Sequence, residues 1–365
     1  MCTGQTKDCV MKIAQVAPLF ESVPPKLYGG TELVVSSLTE ELVRLGHEVT
    51  LFASGDSVTS AQLVPGCKES LRLSTDCRDH LAFHLALLEE VFSQRSEFDI
   101  IHFHTDYLHF PISQREQAVQ VTTLHGRLDI PELSLIYRRF AEMPVISISD
   151  AQRRPLAFAN WQGTVHHGLP EDRHAFNERP GKYLAFLGRI SPEKGVDRAI
   201  EIATQAGLPL KIAAKIDRVD RDYFEAEIRP LLDNPLVEFV GEIGLPEKTE
   251  FLGNAMALLF PIDWPEPFGL VMIEAMACGT PVVAFPKGSV PEIIEHGRSG
   301  FVVSSVSEAV EAVDQLAKIP REECRASFEQ RFTASRMAED YLVLYKRLIW
   351  GVPESVSLAH GVPVG

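Results

Sequence analysis

The sequence has no run approaching 18 uninterrupted apolar residues, which leaves no candidate for a membrane-crossing helix. Cysteine is scarce. The six thiols, Cys2, Cys9, Cys67, Cys77, Cys278 and Cys324, are scattered and form no CxxC pair, which excludes a disulfide scaffold and a cysteine-rich zinc site and points to reduced thiols. Positive charge is short as well, with 35 Lys plus Arg against 50 Asp plus Glu and a formal charge of −15, so the molecule repels phosphate backbones at long range and nucleic acid is excluded as a natural partner. The deficit is shared: 14 basic against 20 acidic residues lie up to Pro170, and 21 against 30 beyond it. Neither half is a basic platform for anionic lipid. Residues 1–10 carry Gln5, Lys7 and Asp8 but no apolar core, so no secretory leader is read there and a cytoplasmic location without a stable membrane anchor is the expectation.

What is present is ordinary in amount and ordered in pattern. Hydrophobic residues make up 45% of 365, enough for a folded chain, and the length exceeds what one core usually serves. Short β-prone runs at 11–17, 48–53, 100–103, 119–124 and 145–148 alternate with helical stretches, the first of which opens near Thr31 and ends at Gly46. After a Pro- and charge-rich connection at 169–181 the rhythm restarts, with strands expected at 183–187, 210–214, 237–240, 257–260, 281–284 and 301–303. The reading is α/β, two doubly wound Rossmann-like domains facing across a cleft, divided as 1–170 and 171–330. A terminal helix within 331–365 is expected to pack back toward the first domain, ahead of a loose tail from Gly351.

Three loops carry the chemistry. In Trp264-Pro265-Glu266-Pro267-Phe268-Gly269-Leu270-Val271-Met272-Ile273-Glu274, two carboxylates eight positions apart flank an expected helix start at Phe268, Gly269 and Leu270. Backbone N–H groups at a helix start favour a phosphate, and carboxylates accept from sugar or ribose hydroxyls, so the segment describes a site for a nucleotide sugar. Two such glutamates alone would read as solvated or helix-start carboxylates. In Gly188-Arg189-Ile190-Ser191-Pro192-Glu193-Lys194-Gly195, Arg189 can fork onto phosphate oxygens and Lys194 can act as a point charge, although such a pair alone is usually surface charge. In Tyr28-Gly29-Gly30-Thr31-Glu32, two glycines precede a helix, with Thr31 as a helix cap in the plainer reading.

With the continuation Ala275-Met276-Ala277-Cys278-Gly279-Thr280-Pro281 and Gly288-Ser289-Val290-Pro291-Glu292, the chain resembles the family 4 retaining glycosyltransferases of the GT-B fold, from about Lys12 to Trp350. The resemblance implies transfer of a hexose-type sugar from a nucleotide diphosphate donor, UDP-linked in the first instance, to a hydroxyl-bearing acceptor without a metal or other cofactor. It implies that Glu274 holds the ribose, that Arg189 and Lys194 hold the diphosphate, and that Glu266 with the Phe268, Gly269 and Leu270 backbone holds the sugar. Gly30 would face the diphosphate, and Glu32 and His104 the acceptor. His125, at the end of a strand in Thr122-Thr123-Leu124-His125-Gly126, would act at the reaction centre.

His102 and His104 share one strand face, and one of them is expected only to line the cleft; His166 and His167 are read as structural. Where many relatives carry a Gly-x-Gly loop, this chain has Ala213-Ala214-Lys215-Ile216-Asp217, and Lys215 is expected to face the nucleotide. Arg138, Arg139, Arg153 and Arg154 read as a solvated face. The competing readings are a sugar-nucleotide 2-epimerase of the same fold and a catalytically silent nucleotide-sugar-binding protein. A nicotinamide-dependent dehydrogenase is disfavoured, because residues 18–30 lack a tight G-x-G-x-x-G.

Overall fold

The computed structural model describes residues 10–26, 29–72, 74–75, 77–179 and 181–351; Tyr28 of the glycine loop and the expected loose tail from 352 onward lie outside them. Seven strands form the first sheet: β1 (Lys12–Val16), β2 (Glu48–Ser54), β3 (Gln62–Cys67), β4 (Ile100–Phe103), β5 (Gln120–Thr123), β6 (Pro144–Ser147) and β7 (Asn160–Thr164). Six form the second: β8 (Tyr183–Arg189), β9 (Leu210–Lys215), β10 (Val237–Gly241), β11 (Ala255–Phe260), β12 (Val282–Ala284) and β13 (Gly300–Val302). The orders are β3-β2-β1-β4-β5-β6-β7 and β10-β9-β8-β11-β12-β13, and every pairing is parallel. Helices cover both faces, so central strands such as β4 and β5 are buried throughout and read as unbroken buried runs rather than alternating ones.

Two strands escaped the sequence pattern, β3 and β7, and both are sheet edges. β3 carries Pro65 and Gly66, and β7 reads Asn160-Trp161-Gln162-Gly163-Thr164, half-buried throughout. An edge strand need not be apolar on both faces and can carry a proline, so its signal drops to that of a loop. The first helix, Gly30–Arg44, starts one residue before Thr31, with Gly29 at its cap and no side-chain capping bond, which corrects the plain reading of Thr31 as the cap. It runs out at Gly46, whose φ of +89° suits glycine.

Each sheet reverses its strand order once, between β1 and β4 and between β8 and β11, and at such points the loops diverge and open a crevice at the carboxyl ends. The two crevices face each other. The chain passes between the domains twice, outward at 165–182 and back at 332–334, and the passages pair: Leu169 N donates to Phe332 O at 2.9 Å, and Ala334 N to Leu169 O at 2.8 Å. Gly168 allows this crossing, since a Cβ there would stand 2.2 Å from Thr333 O. Beyond it the helix Ala334–Trp350, capped by Thr333, buries Met337, Ala338, Tyr341, Leu344 and Tyr345 against Met11, Ile13, Val34 and Leu38 of the first domain. Among the described residues no helix is long and apolar enough to cross a membrane.

Candidate functional site in the interdomain cleft

A cavity of about 570 Å³ separates the two crevices. On the second-domain side, β8 ends at Arg189 and leads into a short turn of helix, Pro192–Lys194, closed by Gly195. Gly195 has φ +72°, and a Cβ would lie 2.3 Å from Pro261 O, so only glycine lets this turn dock on the end of β11. The docking sets Lys194 Nζ 2.5 Å from Glu266 Oε2 and 4.7 Å from the centre of the Trp264 ring, whose Nε1 also donates to Glu266 at 3.1 Å. Arg189 lies among three acids, Glu193 at 2.6 Å, Asp220 at 3.4 Å and Asp217 at 3.9 Å. Burial alone would lower its pKa, but those carboxylates raise it. Lys215 at the end of β9 lines the cavity and pairs with Asp217 at 3.0 Å.

Glu266 is 8% exposed and sits on a braced loop. Ser289 N donates to Glu266 O at 2.9 Å and Ser289 Oγ to Phe268 O at 2.8 Å, while Gly288, at φ +58°, leaves only 2.2 Å between a Cβ and Glu266 O. The loop ends at Gly269, φ +82°, which caps the helix Leu270–Ala277 and turns Phe268, Gly269, Leu270 and Val271 to the cavity wall. The amides of a first helical turn have no intrahelical partner, which makes this wall suited to an anion. Glu274 lies one turn further on, 3% exposed, with Lys248 Nζ at 2.9 Å and His174 Nε2 at 3.9 Å. Burial would raise its pKa; Lys248, His174 and Arg173 together hold it below the ordinary carboxylate value.

The first domain contributes Gly29, Gly30 and Glu32 from the start of its first helix, Thr105 and Asp106 after β4, and His104, His125 and His167. Gly30 is where the domains touch, since a Cβ would meet Leu270 Cδ1 at 3.4 Å. Glu32 is 6% exposed and burial raises its pKa. His104 Nδ1 and His125 Nε2 are 2.8 Å apart, and burial keeps both rings neutral, His125 falling to about 3. The cleft floor is tied by Ser149 Oγ donating to Pro267 O at 2.6 Å, and by Glu292 accepting from Asp150 N and Ala151 N at 2.8 Å each.

The structure therefore brings Gly30, Glu32, His104, His125, Arg189, Lys194, Lys215, Glu266, Phe268, Gly269, Leu270 and Glu274 to one cavity. Of the histidine pair on β4, His104 lines it and His102 is fully buried behind. His167, read as structural, is buried, stacks on His125 at 5.2 Å and 18° and packs on Phe268, and it also lines the cleft. Arg153 also departs from a solvated face, donating to Ser147 Oγ at 2.7 Å. Arg173, Lys248, Thr105 and Asp106 line the cavity without having been singled out in the sequence. Asp106 had no signal beyond its identity, yet its φ of +51° marks a constrained loop at the cleft. Among the described residues no group of three or more His, Cys, Asp or Glu side chains is placed to hold a metal ion.

Two family models match the chain in succession, Glycosyltransferase Family 4 over residues 28–161 and Glycosyl transferases group 1 over residues 170–333. N-acetyl-alpha-D-glucosaminyl L-malate synthase of Bacillus anthracis is 24% identical, across 87% of this chain and 93% of its own. Among solved structures, AviGT4, a glycosyltransferase involved in avilamycin A biosynthesis, superposes with a TM-score of 0.72 at 24% identity, covering 94% of this chain and 99% of its own. HepE of Anabaena, solved in complex with UDP and glucose, superposes with a TM-score of 0.70 at 20% identity, covering 91% and 98%. These two likenesses show the fold, two parallel-sheet α/β domains in the GT-B arrangement.

Proposed function

Since the chain is a glycosyltransferase of the family 4 and group 1 kind, matched on both of its domains, we propose that it transfers a hexose-type sugar from a nucleotide diphosphate donor to an acceptor hydroxyl, with retention and without a metal. The observation that carries this reading is the meeting, in one cavity, of Arg189 and Lys194, a helix N-terminus and the buried carboxylates of Glu266 and Glu274. Arg189, Lys194 and the first turn of the helix Leu270–Ala277 stabilise the negative charge that builds on the departing diphosphate, an electrostatic effect that is strongest where water is excluded. Glu274 accepts from the ribose hydroxyls and Glu266 from those of the sugar. A phosphate oxygen of the donor takes the proton of the acceptor hydroxyl, so no protein nucleophile is required. UDP is the first choice of nucleotide, supported by the complex of HepE with UDP and glucose.

The ion pairs give the site an order of events. Lys194 is held by Glu266 and Arg189 by Glu193, so a diphosphate competes for cations that already have carboxylate partners. As Lys194 turns to the diphosphate, Glu266 loses that bond, keeps the Trp264 donor and gains room to accept from a sugar hydroxyl. Donor binding and sugar positioning are thereby coupled.

A panel of UDP-, GDP- and ADP-sugars read by thermal shift tests this. A UDP-sugar is expected to raise Tm, and Glu274→Gln and Lys194→Ala are each expected to weaken it by at least tenfold, the value of about 1.4 kcal/mol. If neither substitution weakens the donor that shifts Tm, the site is misassigned. Incubation with donor alone separates the epimerase, which would convert it, from the transferase.

A further inference from the structure

Behind His125 runs an unbroken line of buried hydrogen bonds that reaches the final helix. His125 Nε2 lies 2.8 Å from His104 Nδ1, and His104 Nε2 lies 2.8 Å from Gln15 Oε1. Gln15 Nε2 donates to Tyr345 OH at 3.1 Å, Tyr345 OH is 2.6 Å from His102 Nδ1, and His102 Nε2 is 2.7 Å from Thr123 Oγ1, which bonds Tyr341 OH at 2.9 Å. At the other end, His125 Nδ1 is buried at the cleft wall with no partner among the described residues.

The line has a direction. Burial keeps His102, His104 and His125 neutral, so each ring carries one N–H and one bare nitrogen. An amide oxygen only accepts, so the proton of His104 is on Nε2 and its Nδ1 is bare. His125 must then donate from Nε2, which leaves its Nδ1 as a buried lone pair without a partner among the described residues, on a residue that lines the cleft. The amide of Gln15 is held in this orientation by Tyr345, whose hydroxyl accepts from Gln15 and passes its own proton to His102. Reversing the amide would reverse every link and put an unpaired N–H on His125 Nδ1, and buried unpaired N–H groups are rare because they cost most.

We propose that Gln15, acting through His104, is a positioning residue that holds His125 as the Nε2–H tautomer, so that Nδ1 accepts a hydrogen bond from a ligand hydroxyl in the cleft. The tautomer stands on the hydrogen-bond geometry together with the neutrality that burial imposes; its use on a hydroxyl rests on the function proposed above. His167, stacked on one face of the ring, and His104, bonded to its edge, together fix the direction of that lone pair. The terminal helix is thereby part of the site's machinery, because Tyr345 orients Gln15 from 330 positions away in sequence.

Histidine-selective 15N labelling of the full-length protein tests this, with the His125 signals identified by their loss in His125→Asn. The wild-type protein is expected to show a protonated Nε2 and a bare Nδ1 on His125. Gln15→Met keeps the volume and removes the acceptor, so His125 is expected to become a mixture of both tautomers. Turnover should fall about tenfold, the value of one lost neutral hydrogen bond, while the Kd of free UDP stays within about twofold. Tyr345→Phe frees the Gln15 amide to turn and is expected to shift His125 in the same sense; it carries the test if Gln15→Met does not fold. A proton on Nδ1 in the wild-type protein, or an unchanged His125 spectrum in the variants that fold, overturns the proposal. If neither UDP nor any sugar of the UDP, GDP and ADP panel binds the wild-type protein, the functional reading fails and the tautomer result stands.

Discussion

Arg321 shows how far a single side chain can be committed away from the cleft. It is 6% exposed, and its guanidinium donates to Asn177 O at 2.6 Å, Gly253 O at 2.8 Å, Ala255 O at 2.9 Å, Cys278 O at 3.2 Å and Thr280 Oγ1 at 2.7 Å. Methionine at this position would keep much of the bulk and take a donor from five acceptors, of which Gly253 O keeps Asn177 Nδ2 and Cys278 O keeps Asn177 N. Arg321→Met should cost about 3–5 kcal/mol in urea unfolding, the range for uncovering several buried polar groups at once. Its UDP affinity should stay unchanged while the protein is folded; a loss under 1 kcal/mol would show that water satisfies these carbonyls. Such a residue is silent in a sequence, where an arginine opening a helix looks like surface charge. Lys248 and Arg173 are silent for the same reason, whereas Glu266 and Glu274 are legible because glycine, proline and an expected helix start surround them. The place of His167 at the cleft was silent in the sequence because it comes from packing on His125 and Phe268, two segments far away in the chain.

Among the elements, the loop from Glu266 to Gly269 depends on the turn at Gly288 and Ser289 for its shape. Alanine at 288 meets both obstacles at once, a φ of +58° and a backbone oxygen 2.2 Å from its Cβ. The loop must then shift, and a displacement near 1 Å at a reacting centre can cost about 100-fold. Gly288→Ala is expected to lose sugar transfer on that scale with UDP affinity changed by less than about fivefold, because Arg189 and Glu274 are on other elements. Equal losses of transfer and of UDP affinity would mean that the loop holds the nucleotide rather than the sugar. The sequence announced this turn as Gly288-Ser289-Val290-Pro291-Glu292 but not what it braces. The same division runs through the fold: the central strands were legible as apolar runs, and β3 and β7 were not, because half their surface answers to water. Glycine in the first loop was legible too, yet Thr31 misled, since the helix start is satisfied without a side-chain cap.

Across the whole molecule, the net charge of −15 is a poor guide to the interior, where histidine is abundant. Burial pushes His84, His102, His104, His109, His125, His167 and His174 below the ordinary value, His109 and His125 to about 3 and His174 to about 4. In the unfolded chain they take protons near pH 6.5, while the folded chain keeps them neutral. Between about pH 6.5 and the lowered values the unfolded state therefore binds more protons, and stability falls as pH falls, by as much as about 1.4 kcal/mol per unit for each histidine. Glu274, lowered by its cations, adds loss of the same sign at lower pH, and Glu21, Glu32, Asp106 and Asp220, raised by burial, pull the other way, Asp106 to about 6. Seven histidines against four carboxylates decides the sign. A typical domain has only about 5–15 kcal/mol to lose, so the urea midpoint should drop steadily from pH 7.5 to pH 5. His109 offers the cleanest check, because it is remote from the ion pairs of the cleft and bonds only Ser113 and Thr122 through its ring nitrogens. His109→Gln should make the pH slope shallower by about one proton even if it lowers stability at pH 7.5. A slope that is flat in the wild-type protein, or unchanged in this variant, would mean that the buried imidazoles find water or a counter-charge when they protonate.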